Sequence, residues 1–265
     1  MIDWAARGAD TPQDRDPRQT APRALRITAD RLPDLLADLD ARLREGRGFS
    51  LATMNLDHLV KLRENRAFLD AYRAHSHVTA DGNPIVWLSR LAGRPVDLVP
   101  GSDLIGPVTR LAAEAGTPVA LFGATAEALA AAEVALCRDA PGLRVVARIA
   151  PPMGFDPTGP AADAAIEEIG ASGARLCLLA LGAPKQEIFA AHASARLPQT
   201  GFMSIGAGLD FLAGTQTRAP AWVRRMAGEW LWRLAGSPRR MAGRYARCFA
   251  ILPGQAVSAL RARRG

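Results

Sequence analysis

Cysteine is scarce in this chain, and long apolar runs are missing altogether. Its three cysteines, Cys137, Cys177 and Cys248, lie far apart and are odd in number. Such spacing suits neither a disulfide framework nor a zinc site, and it points to a reducing cytoplasm. Cys177, inside RLCLLAL, reads most simply as a core residue. No stretch approaches the ~18 apolar residues of a membrane span, and the mean hydropathy is only +0.01. The opening residues MIDWAARGADTPQDRDPRQTAPR carry acids and prolines but no apolar h-region, so they are not expected to act as a signal peptide. Residues 1–23 are read as a disordered leader.

Several chemical signatures are also missing. No GxGxxG dinucleotide fingerprint, no Walker lysine and no GxSxG elbow occurs. The four histidines, His58, His75, His77 and His192, are not spaced as metal ligands. His75 is expected to end a helix just ahead of the strand that holds His77. Asp38-Leu39-Asp40 has the letters of a metal-binding DxD motif. It falls inside an amphipathic helical pattern, however, where positions i and i+2 point apart, and it reads as a solvated face.

What is present suffices for one large globular body with an appendage: 265 residues, 49% hydrophobic and 22% charged. Charge is unevenly spread. After Gly214 there are eleven arginines and a single acid, Glu229, a local charge of +10, which leaves −3 on the rest of a +7 chain. A mildly acidic body with a strongly basic tail points to an anionic partner: a phosphate-rich ligand, a membrane surface or nucleic acid.

Apolar periodicity orders the chain. Leu25–Ile27 reads as a short strand and Leu32–Arg44 as an amphipathic helix. FSLATM follows as a strand, Leu56–Ala74 as one or two helices, and His77–Ala80 as a strand. Pro84–Leu91 and Asp103–Ala115 are helical. PVALFG is a buried strand, and Thr125 caps a helix that runs to about Cys137. Leu143–Ile149, ARLCLLALG and GFMSIG complete the strands, with helices at Ala161–Ile169 and Lys185–Ala195. Strands alternate with helices to about residue 208, the pattern of a parallel sheet covered on both faces. Two arginine-rich helical stretches follow, broken at Gly236-Ser237-Pro238. The expected division is a leader (1–23), a Rossmann-like catalytic domain (24–214) and a basic helical appendage (215–265).

The stretch from Thr53 to Gly82 links two such strand ends. Thr53 and Asn55 sit at the first exit; Asp81, Gly82 and Asn83 sit at the second. In open α/β sheets ligands bind outside the carboxyl ends of strands, so these exits form a candidate pocket with Asp81 as its catalytic carboxylate. Asp-Gly also serves as a plain turn or helix cap. Three glycine turns follow strands, at Gly123, Gly182 and Gly206. Each lets the backbone approach a ligand and offers the N–H groups of a following helix to phosphate. Gln186 and Glu187 open a helix, where they could bond a sugar or base, although Glu187 also suits any helix N-terminus.

Taken in order, TMN…ADG, PGSDL, LFG, LGAPKQE, IGAGLDFLAGTQTRAP and EWLWRL…PRR…RY resemble the WecG/TagA/CpsF glycosyltransferases, glycosyltransferase family 26. The resemblance covers roughly residues 25–250 and leaves out the leader and the last dozen residues. It implies inverting transfer of a sugar from a UDP-sugar to a polyprenyl-diphosphate-linked sugar, at the cytoplasmic face of the membrane and in cell-surface or exopolysaccharide synthesis. It also implies a Rossmann-like domain with a C-terminal appendage, no metal, and no cofactor beyond the UDP-sugar co-substrate. The family's aspartate falls on Asp81, its pocket threonine and asparagine on Thr53 and Asn55, and its glutamine on Gln186. Asn83, at the second strand exit, and Ser102, Asp103, Gly123, Gly182, Gly206 and Asp210, in the matching motifs, are expected around the nucleotide sugar. Arg218, Arg233, Arg240 and Arg244 are expected at the lipid diphosphate or membrane. Gly243 stands where another basic residue would be expected.

The chemistry agrees with these residues. Inverting transfer needs one base for the acceptor hydroxyl, and arginines with helix N-termini can steady a departing UDP in place of a metal. The expected partners are thus the UDP-sugar, the lipid-linked acceptor and an anionic membrane surface, without nucleic acid; homo-oligomerisation is left open. Two other classes compete. One is a non-catalytic basic adaptor that docks on membrane or nucleic acid through the tail, with Trp222, Trp230, Trp232 and Tyr245 as its aromatics. The other is a nicotinamide oxidoreductase, which the missing fingerprint disfavours.

Overall fold

The computed structural model describes residues 2–4, 25–214, 219–220, 223 and 228–264; the side chains of Glu229, Arg233 and Arg240 are outside that description. Among the described residues six strands form one parallel sheet: β1 (Phe49–Met54), β2 (His77–Ala80), β3 (Pro118–Gly123), β4 (Arg144–Ile149), β5 (Leu176–Ala180) and β6 (Gly201–Ser204). Their spatial order is β2-β1-β6-β5-β3-β4.

The central strands are near-continuous apolar runs because both of their faces are covered. Phe49 and Leu51 of β1, Val119 and Leu121 of β3, and Leu176 and Leu178 of β5 enter one core, and the alternating Ala52, Met54, Ala120, Phe122, Cys177 and Leu179 enter the other side. The first face is covered by α1 (Leu32–Glu45), α5 (Gly101–Glu114), α6 (Ala126–Asp139) and the short α9 (Gly208–Leu212). The second is covered by α2 (Leu56–Glu64), α3 (Arg66–Ala74), α4 (Asn83–Leu91), α7 (Pro160–Ala171) and α8 (Lys185–Arg196). Leu35, Leu39 and Leu43 of α1 recur at helical spacing and are all buried. Each fully buried leucine of this kind contributes about 2 kcal/mol.

The tail continues as α10 (Glu229–Gly236) and α11 (Pro238–Arg264). On α11 the more buried positions Met241, Tyr245, Cys248, Leu252, Gln255 and Ala259 recur every three or four residues, and this stripe packs on α2 and α4. Cys248 and Ala259 join the same core as Leu59, Leu62 and Leu88.

Two expectations are corrected by the structure. Leu25–Ile27 is not a sheet strand: Leu25 makes an isolated parallel bridge with Ile2, and Thr28 bonds Val78 across the outer edge of β2. At the start of the expected leader, Ile2 and Trp4 are buried in the core shared with α11. Asp38 is not merely a solvated residue. It receives Arg42 Nε at 2.7 Å and pairs with His77 Nε2 at 2.8 Å, and Arg42 itself is buried. Asp40 instead pairs on the surface with Arg44.

Candidate active site

The path of the chain parts the strand exits at the carboxyl edge of the sheet, the arrangement that forms a crevice in open α/β folds. The chain leaving β1 turns into α2, and that leaving β5 turns into α8, both on one face. The chain leaving β6, which lies between them, turns into α9 on the opposite face. Neighbouring exits that part to opposite faces define the ligand-binding position of an open α/β sheet.

Asp81 stands beside this opening. Register pairs Met54 with Ala80, which brings the exits of β1 and β2 level, and Asp81 N–H donates to Met54 O at 2.8 Å. Thr53 Oγ1 and Asn55 Nδ2 both donate to one carboxylate oxygen, Asp81 Oδ2, at 3.5 and 3.4 Å. The three residues singled out at the two exits are thus gathered at one carboxylate. Asn55 also caps α2, its Oδ1 accepting from His58 N–H at 3.0 Å. Gly82 follows at φ +102°, a backbone conformation that side chains rarely adopt, and it turns the chain directly into α4.

Behind Asp81 lies a support that sequence reading missed. His58 Nδ1 donates to Thr53 O at 2.8 Å, and Tyr72 Oη–H donates to the same oxygen at 2.6 Å. Burial pushes His58 down to about 4 and keeps the ring neutral. Burial also raises the Tyr72 hydroxyl, with Glu187 and Asp81 adding to the effect. Both are therefore fixed neutral donors. A histidine three residues after a helix cap was the available signal.

The far wall is made by helix N-termini. Gly101 opens α5 so close to the strand exits that a Cβ there would lie 2.8 Å from Ser204 O and 3.2 Å from Thr53 Cγ2. That contact brings Ser102 and Asp103, on the first turn of α5, to the exits of β1 and β6. On α8, Gln186 is buried, and both ends of its amide bond within the protein. Its Oε1 accepts from Gly206 N–H at 3.1 Å and its Nε2 donates to Glu187 Oε1 at 2.8 Å. Gly206 and Gly182, at φ +57° and +71°, have open space where a Cβ would stand. Both turns leave room for a ligand.

The other expected residues have these places. Gly123 ends β3, two strands from β6, and a Cβ there would sit 2.5 Å from the Ala180 carbonyl carbon; this glycine serves close strand packing. Asp210 lies on α9 and Asn83 begins α4, both half-buried. Arg218, Trp222, Arg224, Arg225 and Met226 lie outside the described residues, as do the side chains of Arg233 and Arg240.

Arg244 has a defined place. Its Nη2 lies 2.9 Å from Asp57 Oδ2, which Lys61 Nζ also reaches at 2.9 Å, and Lys61 donates onward to Ala183 O at 3.1 Å. Burial opposes ionisation of Asp57, but the Lys61 hydrogen bond and the Arg244 charge outweigh it, so its pKa falls below the usual range. One carboxylate thereby ties α11 to α2, two residues from Asn55, and to the turn before α8. Among the described residues no three of His, Cys, Asp or Glu gather as a metal site. No described helix is long and apolar enough to cross a membrane.

A Rossmann-like sheet with polar groups collected at a parting of strand exits is the architecture of a ligand-binding α/β enzyme. The chain belongs to the WecG/TagA/CpsF glycosyl transferase family, whose model matches residues 23–265. Its class of activity is therefore glycosyl transfer. The match reaches residue 265, so the last dozen residues, expected to fall outside the resemblance, belong to the family region. That agrees with the buried stripe on α11, which continues to Ala259.

Proposed function

We propose that this glycosyltransferase moves a sugar from a UDP-sugar to a polyprenyl-diphosphate-linked sugar, with inversion and without a metal, as a step of bacterial cell-surface or exopolysaccharide synthesis. The observation that carries the reading is the convergence of Thr53 and Asn55 on Asp81 Oδ2 beside the crevice. In this reading Asp81 takes the proton of the acceptor hydroxyl. The hydroxyl oxygen bonds the anomeric carbon from the face opposite UDP, and the bond to UDP breaks, its electron pair leaving with the diphosphate. One base suffices for this displacement. Developing charge on UDP is met by the N-termini of α5 and α8 and by tail arginines, Arg218, Arg233, Arg240 and Arg244.

The acceptor's lipid places the enzyme on the inner face of the cell membrane. In support, Trp230, Leu231, Trp232 and Phe249 are exposed on the arginine-rich tail, and Trp230 packs edge-on against both Tyr245 and Phe249. Exposed aromatics among arginines suit an anionic interface, where each basic residue contributes about 1 kcal/mol.

The test is a panel of UDP-sugars offered with a polyprenyl-diphosphate-linked sugar, comparing wild type with Asp81→Asn. The variant should fold and bind UDP yet lose about 10²–10⁴-fold in turnover, the range for a general base. Turnover within a few-fold of wild type removes Asp81 from the role. Activity that EDTA abolishes and Mg²⁺ restores overturns the metal-free mechanism.

A further inference from the structure

We propose that Glu187 is a positioning residue of the transfer site: its carboxylate sets the orientation of the Gln186 amide and, through it, the Gly206 turn at the floor of the crevice. The proposal rests on the reading of that crevice as the sugar-nucleotide site.

A glutamate in the first turn of a surface helix ordinarily points to water. Glu187 instead has 0% exposure, on a helix that packs against α3, β1 and β6. Its Oε1 accepts from Gln186 Nε2, and Gln186 Oε1 accepts from Gly206 N–H. A carboxamide has nearly the same shape after a half-turn, so packing alone does not choose between its two orientations. Hydrogen bonding does. The Gly206 N–H requires an acceptor, and an ionised carboxylate requires a donor. These two demands admit one orientation only. A neutral Glu187 carboxyl can donate its own O–H and draw the amide oxygen toward itself. The Gln186 NH₂ would then meet the Gly206 N–H, donor against donor, and the turn would lose its anchor.

Both protonation states are within reach near neutrality. Burial raises Glu187 to about 7, opposed by the Gln186 hydrogen bond, its own backbone N–H and the Lys61 charge. The surrounding elements carry other titratable groups. From α3, Tyr72 stays a neutral phenol and His75 is pushed down to about 3 by burial. From β5, Cys177 is held as a thiol by burial. From α7, Asp163 is engaged by His192 and Arg196. β1 and β6 contain no titratable side chain.

The experiment uses the full-length protein in two arms. In the first, without substrate, amide exchange at Gly206 is followed from pH 5.5 to 8.5 and corrected for intrinsic exchange. Protection in wild type should rise about tenfold through a midpoint near 7, and Glu187→Gln should be flat at the low-protection level. In the second arm, kcat and KM for transfer from the best UDP-sugar of the panel are measured over the same range. Wild-type kcat should carry a rising limb near 7 that Glu187→Gln lacks. A flat Gly206 profile in wild type overturns the proposal, and that measurement needs no variant to fold. Equal profiles in wild type and variant overturn it too. If Gly206 responds as expected while no UDP-sugar is transferred and UDP does not bind, the sugar-nucleotide reading fails and the Glu187–Gln186–Gly206 linkage stands.

Discussion

Replacing Asp57 by asparagine would test how the basic tail is held. The side chain keeps its size and loses its charge, leaving Lys61 and Arg244, which each meet Asp57 Oδ2 at 2.9 Å, without their anionic partner. The magnitude lies between two limits. An exposed ion pair contributes about 0–1 kcal/mol, and breaking a buried one costs about 3–5 kcal/mol. Asp57 is only 9% exposed, but both cations are 33% exposed, so solvent screens much of the effect. A loss of about 2 kcal/mol is expected, a drop of about 4–8 °C in Tm for a protein of this size. Urea unfolding of Asp57→Asn, Arg244→Gln and the double variant isolates the pair, which should show an interaction of about 1 kcal/mol. Hydrogen exchange should rise first in α11. The sign with pH is also fixed. A depressed folded-state pKa contributes stability above the unfolded value of about 3.9, and that stability is lost as pH falls through the folded value. The wild-type advantage over Asp57→Asn should therefore shrink below about pH 4. An interaction within about 0.3 kcal/mol of zero would refute the idea that this carboxylate docks the tail.

Other outcomes follow from the same geometry. Because Glu187 is raised to about 7, the folded state holds its proton more tightly than the unfolded chain, so stability should fall as pH rises from about 4.5 to 7 and level off above. Glu187→Gln should flatten that slope, which amounts to about 3 kcal/mol, as read by thermal melts across pH. Gly101→Ala forces a methyl against Ser204 O and should cost about 1–3 kcal/mol of stability; UDP affinity, measured by calorimetry, should fall with it. Hydrogen bonds from His77 and Arg42 and their charges outweigh burial and lower Asp38 to about 2. Asp38→Asn should therefore lose stability at neutral pH and converge with wild type as pH falls from about 4 to 2. Replacing Leu231 and Trp232 by serine should weaken sedimentation with anionic liposomes severalfold while leaving UDP binding intact; unchanged sedimentation removes that patch from the membrane contact.

The strands were legible because they are buried on both faces. FSLATM, PVALFG and LCLLA admit few other readings, and turn residues mark where each one stops. The Thr53–Asn55–Asp81 cluster was legible for a related reason, since polar residues just past a buried run must lie at a sheet edge. Long-range pairings were hidden. Asp57 looks like an ordinary i,i+4 partner of Lys61, and nothing local says that Arg244 returns to it. Glu187 looks like a helix-opening acid because burial is decided by what packs from α3. Gly123 looks like a ligand turn, although the close approach it permits is to the Ala180 backbone. The tail arginines advertise a partner by composition alone, which cannot tell that the opposite face of α11 is core.

That shared core has a consequence for how the chain is made. The surfaces of α2 and α4 are finished only when Cys248 and Ala259 arrive. At about 5–20 residues per second, synthesis from Leu62 to Ala259 takes about 10–40 s. Throughout that interval an emerging chain carries an uncovered apolar face next to its nascent sheet. The order of translation thus makes this half of the sheet the place where a ribosome-associated chaperone would be needed, and where a premature stop late in the message would leave a sticky, unfinished body.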